Sequence, residues 1–299
     1  MAAIDINRGT AGINLPTEIS NEIWSKTQEE SAIMRLARPM ELPGAGVEVD
    51  IITGDPEAAW VSGTDETAER SVSKGAAGSK KIKPYTLSVI VPFSRKFARD
   101  KARLYDEMVA RIPGALAAKY DGTVFGSVTK PGENFDQLKD CTAVDIKADP
   151  WAGLVAADAA IAENGGICNG FAIAPKAKSL LLTAVDGNKR PLFVNSTAQG
   201  GVPAVLGNPT YVHRKAYLAG QNPSTPETIG FAGDWNDAVY GIVEGMLLSV
   251  SDQATLKING EQVNLWQRDM FAIRVEIEAG FAVKDAKNFI RLTGEIPGA

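Results

Sequence analysis

The sequence predicts an α+β fold, and three observations carry that prediction. Phe271–Val283 alternates apolar and polar for a dozen residues, which is a long strand. Residues 94–126 repeat apolar side chains at spacing four, which is one helix face. Asp149-Pro150 then opens a helix–strand–helix run with a cap and a proline in the first turn.

From the N-terminus, residues 1–45 read as an extended arm with one short helix. Ile19, Ile23 and Trp24 share a helical face, and Thr17 or Ser20 can cap it. Ser31–Ala37 then runs into Pro39 and Pro43, which stop any helix. Such a segment has no core of its own, so its apolar residues need a neighbour. Residues 46–93 read as a two-stranded excursion. Val47, Val49 and Ile51 alternate with acids on the way out, and Tyr85–Val91 alternates on the return. Residues 62–66 and 75–79 have loop composition. Glu48, Asp50, Asp55, Glu57, Asp65, Glu66 and Glu69 lie on the outgoing side, and Lys74, Lys80, Lys81 and Lys83 on the return. That pattern fits a solvated hairpin with cross-strand ion pairs, and equally an arm that lies on an adjacent subunit.

In 94–126, Ser94 is the expected cap, and Leu104, Met108, Ile112, Leu116 and Tyr120 form the buried stripe. Pro113 should kink or divide this helix, and Gly122 and Gly126 should close it. Residues 127–147 are polar and irregular. In the helix after Asp149, Trp151, Leu154, Val155 and Ile161 are expected inside, with Asn164-Gly165-Gly166 as its end. Gly170–Ala174 is a short buried strand, Pro175 opens a second helix carrying Leu180, Leu181 and Leu182, and Asp186–Pro191 is a turn. In the final strand, the odd-numbered residues from Phe271 to Val283 face inward, and Arg274, Glu276 and Glu278 face outward.

Composition narrows the function. The chain has 299 residues, 44% hydrophobic, with 31 basic against 36 acidic side chains. A net charge of -5 argues against broad attraction to nucleic acid. No apolar run of membrane-spanning length and no secretory signal occur, so a cytoplasmic site of synthesis is expected. Cys141 and Cys168 have no C-x-x-C spacing and read as free thiols; Asn195-Ser196-Thr197 is a chance sequon. The single histidine, His213, has no nucleophile motif to serve, and it reads as a surface or satisfied structural residue. One histidine with scattered cysteines builds no zinc site. Gly75–Lys81 misses the spacing of a phosphate loop. Asp234 and Asp237 flank Trp235, and capping is the better role for them than acid–base chemistry. No catalytic, cofactor or metal residues are expected, and the chain does not read as an enzyme.

What remains is an ordered set of short motifs: Phe171–Pro175, Leu206-Gly207-Asn208-Pro209, Gly230-Phe231-Ala232-Gly233-Asp234, the apolar Gly245–Ser251, then the long strand. In order and spacing this resembles the major capsid proteins of tailed bacteriophages with the HK97-like fold, along nearly the whole chain. The resemblance implies an N-terminal arm (1–45), an extended β-hairpin or E-loop (46–83), a peripheral domain (84–129 and 261–299) with a long spine helix and a strand returning within 265–290, and a compact axial domain (130–260). It implies a structural protein that self-assembles into pentamers and hexamers of an icosahedral shell around double-stranded DNA, held without sequence-specific binding. A mildly acidic shell repels DNA, which suits contents that must leave.

Contacts between subunits are then expected at Trp24, Glu57, Trp60, Asp65, Glu66, Lys74, Lys80 and Lys81. For Trp60, local packing within the hairpin is the competing role. Some relatives begin with a cleaved scaffolding segment. This chain starts with Met and enters arm-like sequence directly, so a separate scaffolding protein is implied, or none is needed. A portal and a decoration protein are the other implied partners, and the location is the virion, assembled in the host bacterial cytoplasm. Some relatives link lysine to asparagine covalently; Lys74, Lys80 and Lys81 match by position only, and no crosslink is expected. The alternative is an encapsulin-type compartment shell, which shares the fold; the polar first dozen residues favour the phage reading.

Overall fold

The computed structural model describes residues 25–44, 46–54, 76–186, 188–190, 192–193, 204–220, 225–243, 245–258 and 260–295. Two main sheets share one central core. The first is organised by β14, Met270–Val283. Its inward face holds as expected: Phe271, Ile273, Val275, Ile277, Ala279, Phe281 and Val283 are buried. On the other face Arg274 and Glu278 are exposed and Glu276 is half-buried, while Ala272, Gly280 and Ala282 are covered. β4 (Tyr85–Ser94) runs antiparallel along one edge of β14. β10 (Ala238–Ile242) and β11 (Leu247–Ser251) divide the other edge, and β1 (Arg38–Glu41) adds parallel to β10.

Three helices, not one kinked helix, follow β4: α3 (Arg95–Asp100), α4 (Ala102–Ala110) and α5 (Ile112–Phe125). Pro113 falls in the first turn of α5, where its missing N–H breaks no helical bond. Each break resets the rotation of the helix. Ile112, Leu116 and Tyr120 are therefore buried, while Leu104 and Met108, expected on the same stripe, are exposed. Ser94 stands at the start of α3, but its side chain makes no capping bond. Gly126 ends α5 in the left-handed region at φ 96°.

The second sheet has the order β5 (Thr142–Asp145), β15 (Phe289–Thr293), β9 (Thr228–Gly233), β6 (Gly170–Ile173), β8 (Asn208–Val212), β7 (Ala204–Val205). α6 (Pro150–Glu163) and α7 (Pro175–Thr183) cover one face, with Leu154, Ile161, Ala177 and Leu181 against Phe171, Ile290 and Leu292. Asp149 caps α6 by accepting from the Trp151 and Ala152 amides at 3.0 and 3.1 Å. Leu154 and Ile161 are buried as expected. Trp151 and Val155 are not, at 46% and 43% exposure. The helix is apolar around most of its circumference, so periodicity does not select a face. The two sheets also exchange strands across the expected 130–260 boundary. β10 and β11 join the sheet of β14, and β15 leaves β14 to sit between β5 and β9.

The hairpin exists, with a different return strand. β2 (Val47–Gly54) pairs antiparallel with β3 (Ala76–Ile82) in a separate two-stranded sheet. Tyr85–Val91 belongs to β4 instead. Ala76–Ser79, which has loop composition, is strand because the ladder to β2 supplies its hydrogen bonds. The hairpin root crosses the first sheet over Gly241 and Gly280, where a Cβ on Gly241 would collide with Leu42. Leu42, Ile82 and Ala282 close a small cluster there.

The end of the expected arm finds its neighbour within its own subunit. α2 (Ala32–Leu36) buries Ala32, Ile33 and Met34 in the central core, among Tyr120, Val124, Phe125, Phe231 and Phe281. Residues 25–30 are helical just before it. Among the described residues, no helix is long and apolar enough to cross a membrane.

Candidate assembly surfaces

Of the eight expected contact residues, Trp24, Glu57, Trp60, Asp65, Glu66 and Lys74 lie outside the described residues, as does the helical face of Ile19 and Ile23. Lys80 and Lys81 lie on β3, and the alternation of a strand sends them to opposite sides. Lys81 is exposed and lies 3.5 Å from Glu48, its registered cross-strand partner. Ser79 Oγ donates to the same carboxylate at 2.6 Å. That hydrogen bond, then the Lys81 charge, holds the Glu48 carboxyl below its ordinary range. Lys80 turns inward. Its ammonium lies 2.5 Å from Asp136 Oδ2 and donates to the Val283 carbonyl at 2.6 Å. Asp136 Oδ2 in turn accepts from the Val283 amide at 2.9 Å. Lys80 thus ties the hairpin root to the 127–141 loop and to the end of β14. Asp136 was not singled out by sequence, because nothing local marks a loop aspartate as a partner for a lysine 56 residues earlier.

A second surface lies on α3 and the start of α4. Arg95, Lys96, Arg99, Lys101 and Arg103 put five basic residues against one acid, Asp100, within a chain of net charge -5. All are exposed. Arg95 is engaged by Asp252 at 2.6 Å, and Arg99 by Asp100 at 3.0 Å. Leu104 and Met108 expose apolar area next to this charge. The basic residues stand together in the sequence, but the periodicity of the same stretch marks only a core face. Trp266, 68% exposed after the small hairpin β12–β13 (Thr255–Ile258 and Glu261–Asn264), and Leu247 are further exposed apolar groups that periodicity did not mark.

The residues weighed for chemistry are structurally occupied. Asp234 accepts from the Asn236 amide at 3.1 Å as a cap, from the Ile167 amide at 3.1 Å and from the Asn169 side chain at 3.0 Å. Asp237 accepts from Asn288 at 2.6 Å. Both thiols are free and buried. Burial is the main cause that pushes Cys141 up to about 12 and Cys168 up to about 11, so neither supplies a thiolate near neutrality. Among the described residues, no group of His, Cys, Asp and Glu could hold a metal ion. Clefts of about 240 Å³ between α5 and β4, and about 420 Å³ beside α7, are lined by mixed polar and apolar side chains.

A long central strand shared by two partners on one edge, a two-stranded hairpin rooted beside it, and a second sheet flanked by helices define an HK97-like capsid subunit. Solved phage chains share this fold. A chain from Gordonia phage Cozz superposes with a TM-score of 0.71 at 21% identity, covering 89% of this chain and 86% of that one. One from Mycobacterium phage Adephagia gives 0.71 at 18%, covering 90% and 91%. The capsid of an empty GTA particle gives 0.61 at 13%, covering 89% and 90%. The chain belongs to the Phage capsid family, whose model matches residues 11–294. It is 26% identical to the probable major capsid protein gp17 of Mycobacterium phage D29, over 95% of this chain and 91% of that protein. It is 24% identical to the major capsid protein of Staphylococcus phage 80alpha, over 95% and 88%. Each of these relatives is a phage or GTA protein, and none points to a cellular compartment shell.

Proposed function

We propose that the chain is the major capsid protein of a phage head, forming hexamers and pentamers of an icosahedral shell around double-stranded DNA. The observation that supports this best is the family match over 11–294 on a fold shared with phage capsid chains. The role is structural, with no catalytic step and no cofactor. Assembly in the host cytoplasm, a separate scaffolding protein, a portal and a decoration protein complete this reading.

The domain plan of arm, hairpin, peripheral and axial parts stands as part of the proposal, as do the contact residues. Residues 55–69 carry Asp55, Glu57, Asp65, Glu66 and Glu69 with no basic residue. The exposed basic run 95–103 is the complementary surface on another copy. Trp60 and Trp24 supply apolar anchors, and Leu104 and Met108 are the exposed apolar groups that lie beside the basic run. Lys74 and the exposed Lys81 pair with acids of a neighbouring copy in this scheme, and Lys80 sets the hairpin root. Many such contacts, each weak, add to a stable shell when every subunit repeats them.

Sedimentation velocity with negative-stain imaging tests the reading. Closed shells, or pentamers and hexamers, support it. A monodisperse monomer or dimer at high concentration, in several salts and with co-expressed scaffold, sinks it. The charge pairing has its own test. Asp65→Lys with Glu66→Lys should reduce assembly, and adding Lys96→Glu with Arg103→Glu should restore part of it. Reversal of the basic pair that leaves assembly intact removes that surface from the scheme.

A further inference from the structure

Asp121 is a fully buried acid on α5, and three separate stretches of chain meet at its carboxyl. Ser31 Oγ donates to Oδ1 at 2.5 Å, and the Ala32 amide donates to Oδ2 at 2.7 Å. Ser31 is itself the cap of α2, accepting from the Met34 amide at 3.1 Å. On the other side, His213 Nδ1 lies 3.3 Å from Oδ2. The Lys215 amide also approaches Nδ1 as a donor, at 3.3 Å. A ring nitrogen that accepts an N–H carries no proton of its own; its one lone pair is shared between the Lys215 amide and Oδ2, both at 3.3 Å, so a proton between Nδ1 and Oδ2 belongs on the carboxyl. The other titratable groups around the cluster are the Lys215 ammonium, the Tyr120 and Tyr240 phenols, Glu30 beside the first turn of α5, and Arg35, held 5.9 Å over the Tyr211 ring. Burial raises both phenols, which stay neutral.

We propose that Asp121 and His213 form a one-proton latch for the N-terminal segment: as residues 31–42 dock, the proton that His213 carries in water passes to Asp121, and the neutral pair fastens the segment to its own subunit. One N–H bond of the imidazolium breaks and one O–H bond forms on the carboxyl; no other covalent bond changes, and the two charges disappear together. The assignment concerns the single subunit and is independent of how the shell closes.

The signs of the two groups explain what the pairing achieves. Burial pushes the Asp121 carboxyl from 3.8 up to about 7, against the pull of Ser31 and the backbone amides. A lone acid of this kind would favour docking in acid and weaken it as pH rises from 3.8 to about 7. His213 moves the other way: burial first, then Lys215, lowers it from 6.5. Opening the segment releases the Asp121 proton and lets His213 take one up. Between the lowered docked value of His213 and 6.5 the two cancel, so docking is insensitive to pH there. Above 6.5 the opened imidazole no longer takes the proton, and docking weakens up to about 7.

Native-state amide exchange on the full-length unassembled subunit tests this, read at residues 32–37 and corrected for intrinsic exchange. Wild type should show flat protection as pH falls from 6.5 to the lowered docked value of His213, which the NMR titration of the ring fixes. His213→Gln should lose protection by about tenfold per pH unit over that interval. Adding Asp121→Asn to His213→Gln should make it flat again. A flat profile for His213→Gln alone overturns the latch. If the Asp121 variant fails to fold, the imidazole still decides: it is the only one in the chain, so its NMR titration is unambiguous. Titration below 6.5 supports the assignment, and a ring that stays cationic above 6.5 overturns it.

Discussion

Two segments that the sequence leaves without a core, residues 32–42 and the hairpin 46–82, end in different places. The first enters the central core. Ile33 is fully buried between α5 and the two sheets, β1 pairs with β10, and Asp121 fixes the start of α2. The second forms a two-stranded ladder whose described anchors lie at its root, in the small cluster of Leu42, Ile82 and Ala282 and the Lys80–Asp136 pair. An apolar segment between prolines and an alternating hairpin look equally dependent on a neighbour. Only tertiary structure says which neighbour. The difference suits the proposed shell subunit: one extension is part of the fold, and in that proposal the other contacts a further copy.

The largest effect should come from the segment that enters the core. Ile33→Ala removes a fully buried side chain and should cost roughly 2–5 kcal/mol, seen as a lower urea midpoint of the unassembled subunit. A loss under about 1 kcal/mol would mean that the segment is not part of the cooperative core. Ile82→Ala makes the same deletion at the hairpin root. Its cluster is small, so the cost should sit near the lower end, about 2 kcal/mol, with exchange rising in β3 before it rises in β14. Equal global losses from the two substitutions would erase the contrast.

The sequence was most legible where a local pattern and its tertiary environment agree. β14 is the best case, because its odd-numbered residues form one continuous apolar face on the core, which leaves one register. Asp149-Pro150 and the buried β6 were legible for the same reason. Legibility failed where the deciding partner is distant. The small residues Ala76–Ser79 become strand only through β2. β15 joins the second sheet through pairs with β5 and β9, which no local pattern encodes. Trp151 and Val155 were misplaced because a helix apolar on all sides has no preferred face. Among the candidate contact residues, charge pattern located the acids and lysines of the hairpin. It did not separate Lys80, held by Asp136, from Lys81, which is exposed.

A smaller effect should follow from cutting the ionic part of the root. Lys80→Met keeps the aliphatic stem and removes the ammonium that Asp136 and the Val283 carbonyl hold. Both partners are about one-third exposed, at 33% and 31%, so solvent screens the pair. The expected loss is about 1 kcal/mol. Exchange should increase across Ala76–Ile82 with little change in residues 32–37, which depend on different anchors. Equal loosening of both segments would join them into one unit and remove the distinction.

The smallest effect is expected at the neighbouring cross-strand pair, Glu48 on β2 and Lys81 on β3. Glu48 accepts from Ser79 and faces Lys81, and both hold its carboxyl below the ordinary range. A lowered acid contributes stability above its unfolded value of 4.5, and that contribution fades as pH falls through the lower folded value. Glu48 and Lys81 are both solvent-exposed, so the pair is screened by water and salt. Glu48→Gln should therefore leave the urea midpoint unchanged within error at neutral pH, and remove only a slight acid sensitivity of exchange near Ser79. A clear loss of stability in the isolated subunit would show that the outer edge of the hairpin, like residues 32–42, is built into its own fold. An effect confined to assembled particles would place Glu48 and Lys81 at a contact with the next copy, where desolvation makes the same two charges matter more.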